Sequence, residues 1–287
     1  MPEVGLFVLP KSFCLARRST SVDNARLDVP PVTRERRNFD EIFSRIARSD
    51  TLATIWCKAY GDDYPEEASP FSFVTAPELI SMGRAMAVSE GQRFVDIACG
   101  QGGPSLFVAR VTGAAVVGID SSYVAAKVAT ATAGKRNVAD KARFIVADAA
   151  ATGVQAASMH GALSIDALQL MPHRAAVLLE VSRILKPGGR FAFSTWLARQ
   201  PGKGPPFPAD YGPLLAAAGI DMESCHEPPD WERRELSVFA LIRENVVRLR
   251  AELGDTVASG LATEAEKMPE AYPLIRRVNI VGRKLAG

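Results

Sequence analysis

The sequence has little of what builds metal sites or disulfide frameworks. Its three histidines, His160, His173 and His226, do not cluster with its four cysteines, Cys14, Cys57, Cys99 and Cys225, and no two cysteines form a Cys-x-x-Cys pair. This spacing argues against structural zinc and against a stapled secreted domain, and predicts reduced thiols in a cytoplasmic protein. There is no run of about 18 apolar residues, so no transmembrane helix is expected. Charge of one sign is lacking too: the formal net charge is +2, which gives no case for nucleic acid or membrane as partner. The apolar residues 5–10 precede Lys11, Arg17 and Arg18, the reverse of the order in a secretory signal.

Hydrophobic residues make up 47% of the 287, enough for a large packed core. Residues 1–38 mix Arg, Pro, Ser and Asp without period and are expected to form a flexible extension. From Phe39 a helical period begins with Ile42, Phe43, Ile46 and Ala47, and continues in Leu52, Ile55 and Trp56. Residues 60–65 break it. Thr75 and Pro77 then start a further helix that runs to about Ala87. Residues 39–90 thus form a helical cover. Its aromatics Trp56, Tyr60, Tyr64, Phe71 and Phe73 are expected in its core, with pocket lining as the alternative.

Residues 91–199 alternate apolar strands with helices. An apolar strand reaches Asp96 and turns through Ala98, Cys99, Gly100, Gln101, Gly102 and Gly103 into a helix. Glycines there let the backbone turn tightly and approach a ligand. Strands follow at 114–120, 142–148 and 161–166, each ending in Asp, and a fifth at 190–196 after Lys186-Pro-Gly-Gly189. Residues 200–287 supply the remaining strands, near 220–225 and 278–284. Between these lie helices at 231–253 and about 259–267, an inserted part of the cover spanning about 226–272. The pattern predicts a Rossmann-like α/β fold, a seven-stranded, mostly parallel sheet with helices on both faces. Ligands of such sheets bind at the carboxyl edge, where Gly100, Asp120, Asp148, Asp166 and Thr195 fall.

Asp96-x-x-x-Gly100-x-Gly102, Asp120 twenty residues after Gly100, Asp148 after the third strand and Ile184-Leu-Lys-Pro-Gly-Gly-Arg190 form one constellation. It resembles the class I S-adenosylmethionine-dependent methyltransferase family over about residues 94–196 and the last strand. The resemblance implies S-adenosyl-L-methionine as cofactor. It implies that Asp96, Ala98, Cys99, Gly100 and Gly102 surround the methionine part and that Asp120 with Ser121 holds the ribose. Asp148 and Ala149 would hold the adenine, with Asp166 on the same edge. One departure stands out: the family most often has Gly where this chain has Ala98. A nicotinamide oxidoreductase also uses a glycine loop and a strand-end acid, but leaves Asp148 and Lys-Pro-Gly-Gly unexplained.

The place after the fourth strand, residues 164–171, lacks the Pro-Pro-aromatic motif of adenine- and glutamine-directed enzymes. Residues 194–196, Ser-Thr-Trp, lack the acid pair of the magnesium-dependent branch, so no metal is expected. The remainder is similar to small-molecule methyltransferases acting on quinones, sterols and sarcosine, and residues 59–75 resemble an actinobacterial branch tied to secondary metabolism. The expectation is a monomeric or homodimeric enzyme that methylates O, N or C of a small molecule, with no nucleic acid or membrane partner. Two alternatives remain open: a fold relative that binds the cofactor but cyclises or regulates, and a nucleic-acid methyltransferase. For an acceptor that must lose a proton, His173 past the fourth strand is the candidate base. Its other reading is an exposed helix start. His226 is a weaker candidate, and His160 falls at the wrong end of the sheet. Gln169 and Met171 are candidate pocket lining, and Trp196 either lines the pocket or fills core.

Overall fold

A computed structural model describes residues 34–65, 72–202 and 205–286, with side chains from residue 39 onward. Most of residues 1–38 and the aromatic Phe71 lie outside the described residues. The first helix, α1 (Arg34–Ile46), starts ahead of the apolar period at Phe39. Arg and Glu are good helix formers, so the helix runs back into residues that carry no apolar stripe. Ser49 caps α2 (Asp50–Tyr60), its hydroxyl accepting from the Leu52 N–H. The helix start expected at Thr75 and Pro77 is that of α3 (Ala76–Met86), and there Thr75 and Glu78 close a capping box.

The sheet begins with β1 (Arg93–Ile97), α4 (Gly103–Thr112), β2 (Ala115–Asp120), α5 (Tyr123–Lys135), β3 (Ala142–Val146) and β4 (Met159–Ser164). Then come α6 (Arg174–Ile184), β5 (Leu185–Ala198), α7 (Gly212–Ala217) and β6 (Ile220–His226). After α8 (Trp231–Glu244) and α9 (Val246–Ala271), β7 (Ile275–Lys284) returns to the sheet. The seven strands lie in the order β3-β2-β1-β4-β5-β7-β6, with β7 antiparallel to both neighbours. The order reverses between β1 and β4, and the crevice at that switch is where open α/β sheets take their ligands.

Two expectations need correction. Lys186-Pro-Gly-Gly189 is not a loop ahead of the strand: β5 already pairs at Leu185 with Met159, and the register shifts before Gly161 pairs with Arg190. The motif is a bulge inside β5. The expected single helix over 231–253 is interrupted at Asn245, and α9 bends at Gly254 (φ 77°, ψ 165°). There the Arg45 guanidinium presses in, 2.6 Å from where a Cβ would stand, and donates to the Leu253 carbonyl at 2.8 Å.

The cover has a core of its own. Ile46, Leu52, Ile55 and Trp56 from the N-terminal helices pack with Val238, Phe239, Leu261 and Met268 from α8 and α9. Trp196 joins that cluster as core. The sheet's two faces carry separate clusters. No helix of the described residues is long and apolar enough to cross a membrane.

Candidate functional site

Past β1 the chain turns through three residues in left-handed backbone: Ala98 (φ 56°), Gly100 (φ 52°) and Gly102 (φ 78°). A Cβ on Gly102 would stand 2.8 Å from the Phe144 ring and 2.9 Å from the Ala129 methyl, so only glycine fits. The Cys99 N–H donates to the Ile119 carbonyl at 2.9 Å and binds the loop to β2. Asp120, buried at the end of β2, accepts from the Gly100 N–H through Oδ2 and from the Ser122 N–H through Oδ1, both at 2.8 Å. Burial raises its carboxyl above the ordinary range, and the nearby Asp40 charge adds to this against the backbone hydrogen bonds.

Asp96 lies under the same loop. Its Oδ2 accepts from the Ser105 hydroxyl, while its Oδ1 is buried with no hydrogen-bond partner among the described residues. Burial pushes its carboxyl up to about 7; the Ser105 bond pulls against this and the Asp120 charge adds to it. The Cys99 thiol is buried and raised for the same first reason. Ser121 is exposed, as is Asp148, which accepts from the Ala150 N–H at 2.7 Å beside half-buried Ala149. Helix α1 leans over the loop: Gln101 Nε2 donates to the Phe43 carbonyl at 3.0 Å, and Asp40 accepts from the Ser122 hydroxyl and the Val124 N–H.

Asp166 turns away from this group. Its Oδ1 accepts from Ser194 Oγ at 2.7 Å and Arg277 Nη2 at 3.0 Å, and its Oδ2 from the Phe73 N–H at 2.9 Å. The carboxylate is therefore committed to Arg277 and the cover, where the sequence reading had it beside the cofactor residues. The other arm of Arg277 donates to Glu78 Oε1, which also takes Asn279 Nδ2 at 3.0 Å. Arg277 is fully buried; burial lowers its pKa, but the Asp166 and Glu78 charges outweigh this and raise it. Glu78 is held below the usual range, Arg277 overcoming the upward push of burial.

Beside this pair, the Tyr272 hydroxyl donates to Glu235 Oε2 at 2.8 Å. Glu235 Oε1, both oxygens of Glu264 and the Tyr60 hydroxyl are buried with no partner among the described residues. Burial drives Glu235 up to about 8, opposed by the Arg277 charge and the Tyr272 hydroxyl, and it raises Glu264 with help from the Glu235 charge.

The histidines separate. His173 is exposed at the N-cap of α6 and makes no capping bond. His226 is exposed at the end of β6. His160 sits in β4, accepting from the Arg93 N–H through Nδ1, with its Nε2 2.8 Å from Lys186 Nζ. Gln169 is buried just past β4, its Oε1 unpartnered among the described residues. Among the described residues no group of three or more His, Cys, Asp or Glu side chains is arranged to hold a metal ion.

The sequence reading missed Glu235, Glu264, Tyr272 and Arg277. A signal was there. Glu235 falls on the apolar stripe of Trp231, Val238, Phe239 and Ile242, and Glu264 on that of Val257, Leu261 and Met268. An acid on a buried helical stripe is costly unless something pairs with it. Arg277 stands on the same face of β7 as Ile275 and Asn279, all buried.

Residues 95–193 match the family model described as a methyltransferase domain. The chain is 27% identical to 27-O-demethylrifamycin SV methyltransferase of Amycolatopsis mediterranei over 65% of its length and 75% of that protein. It is 29% identical to sterol 24-C-methyltransferase of Aspergillus fumigatus, over 46% of this chain. The matched part spans only about a third (35%) of that sterol enzyme. In fold it is similar to the [4+2]-cyclase SpnF, with a TM-score of 0.69, 19% identity, and coverage of 83% of this chain and 94% of that one. The family match covers the strands and loop that hold Asp96, Gly100, Asp120 and Asp148, and this part of the chain is similar to S-adenosylmethionine-dependent methyltransferase domains.

Proposed function

We propose that the protein binds S-adenosyl-L-methionine at the glycine loop and transfers its methyl group to a small molecule held under the helical cover. The observation that carries this reading is the unpartnered Oδ1 of Asp96, buried beneath a glycine loop that Asp120 pins from the other side. A buried carboxyl oxygen without a donor suits the ammonium of the cofactor's methionine part. Each Asp120 oxygen takes one backbone N–H and keeps a lone pair for a ribose hydroxyl. Ala98, Cys99, Gly100 and Gly102 present backbone to the methionine part, Ser121 flanks the ribose, and Asp148 with Ala149 borders the adenine. Asp166 has no place in this set, because its carboxylate already holds Arg277.

The cofactor supplies an activated methyl group on sulfur. The protein's task is then to align the acceptor and exclude water. The two clusters of buried aromatic and aliphatic side chains, one in the cover and one on the sheet, suit that task. His173, exposed past β4 on the ligand edge, is the base in this reading when the acceptor must lose a proton. A place in secondary metabolism is supported by the similarity to the rifamycin-modifying enzyme. A cytoplasmic location is supported by the exposed thiols of Cys57 and Cys225, which are unpaired among the described residues.

Calorimetric titration with S-adenosylmethionine and S-adenosylhomocysteine tests the reading, followed by a labelled-methyl assay on candidate small molecules. Binding of both nucleosides is expected. If neither binds, the proposal fails.

A further inference from the structure

Three carboxyl groups, Glu78, Asp166 and Glu235, gather at the junction of cover and sheet around one guanidinium, that of Arg277, and a fourth, Glu264, lies near Glu235. Arg277 spends both arms on Glu78 and Asp166. Glu235 and Glu264 make no salt bridge among the described residues, and three of their four oxygens have no donor among them. The Tyr60 hydroxyl, from a different helix, is also buried and unpartnered, and it feels the Glu235 charge. Unmade buried hydrogen bonds are costly, so a fold does not keep several together without a use.

Aromatic rings line the same cluster. Tyr272 has its ring 5.1 Å from Trp231 and 6.5 Å from Phe239, and Phe73 lies 5.9 Å from Phe239. Ring faces attract cations through their quadrupole. Burial favours the neutral form of Glu235 and Glu264; once ionised, their vacant oxygens accept hydrogen bonds and call for a positive group beside them, which the rings tolerate. A hydroxyl meets the first demand only. A protonated amine meets all three.

We infer that Tyr60, Glu235, Glu264 and Tyr272 form a subsite for a protonated amino group of the acceptor molecule, with Arg277 fixing the depth of the site through Glu78 and Asp166. This rests on the methyltransferase reading above. The residues come from α2, α8, α9 and the turn before β7, all outside the matched domain of residues 95–193. The shared part of the family thus holds the cofactor, and the selective part lies in the cover.

The test uses the full chain saturated with S-adenosylhomocysteine and follows its melting temperature. Phenethylamine is compared with 2-phenylethanol, which has the same ring and carbon chain. The amine should raise the melting temperature in a dose-dependent way and the alcohol should not. The double variant Glu235→Gln with Glu264→Gln should lose the amine response and keep its affinity for S-adenosylhomocysteine. Equal responses to amine and alcohol overturn the inference. So does no response to the amine while S-adenosylhomocysteine still binds, or an amine response that survives in the double variant. Loss of S-adenosylhomocysteine binding in the parent chain instead overturns the methyltransferase reading, a separate signal. If the double variant does not fold, Glu264→Met decides. Its melting temperature should equal or exceed that of the parent, since those oxygens have no bond to lose; a lower value makes Glu264 a structural residue and overturns the inference.

Discussion

The Gly100 N–H donates to Asp120 Oδ2 at 2.8 Å across twenty residues of chain, so the acid shapes the loop as well as facing the ligand edge. Asp120→Ala removes that bond together with the acceptor proposed for a ribose hydroxyl. Affinity for S-adenosylhomocysteine should fall by ~1–3 kcal/mol, read by calorimetry. Unchanged affinity would take Asp120 out of the site.

Ala98 adopts φ 56°, a backbone region where a Cβ is crowded and Gly is favoured. Ala98→Gly relieves that crowding but frees the unfolded chain, two effects of similar size. Stability should stay within about 1 kcal/mol of the parent and cofactor affinity should hold or improve. Ala98→Val adds a branched side chain there and should cost ~1–2 kcal/mol in chemical denaturation.

Asp96 and Glu235 set a pH dependence. Their folded pKa values, about 7 and about 8, lie above the ordinary 3.8 and 4.5. Below the ordinary values both states are protonated and the contribution is complete. As pH rises through that window the folded chain keeps protons that the unfolded chain releases, so stability falls. The slope approaches ~1.4 kcal/mol per pH unit for each group. Urea unfolding of the cofactor-free protein between pH 5 and pH 8 should show this decline, and Glu235→Gln should flatten its upper part. Stability that rises over this interval would contradict the assignment.

Removing the Arg277 guanidinium leaves Glu78 and Asp166 buried without their cation. Arg277→Met should cost about 3–5 kcal/mol of stability. Arg277→Lys should recover only part of it, because one ammonium cannot serve two carboxylates as a planar fork does.

The strand and glycine-loop side of the fold was readable because its demands are local. A strand, a tight turn and a strand-end acid sit at set spacings, so Asp96, Gly102, Asp120 and Asp148 stand where the pattern put them. The helix start at Thr75 and Pro77 was readable for the same reason. What spacing does not encode is pairing across distance. Asp166 has the same strand-end position as Asp120, yet its partner, Arg277, lies 111 residues away. Glu235 and Glu264 look like ordinary surface acids until the helical stripe is drawn around them. The break at Gly254 depends on Arg45, 208 residues earlier than the carbonyl it binds.

That last contact also orders events during synthesis. Arg45 and Ser49 find their partners, Leu253 and Glu252, only after 208 and 203 further residues. At ~5–20 residues per second this is a wait of roughly 10–40 s. Through that interval Leu52, Ile55 and Trp56 have no α8 or α9 to pack against, while the parallel strands β1 to β5 are already emerging. The nascent chain therefore passes through a stage with a nearly finished sheet and a greasy, unroofed helical arm. This is the stage at which a chaperone, or another nascent copy, would meet it.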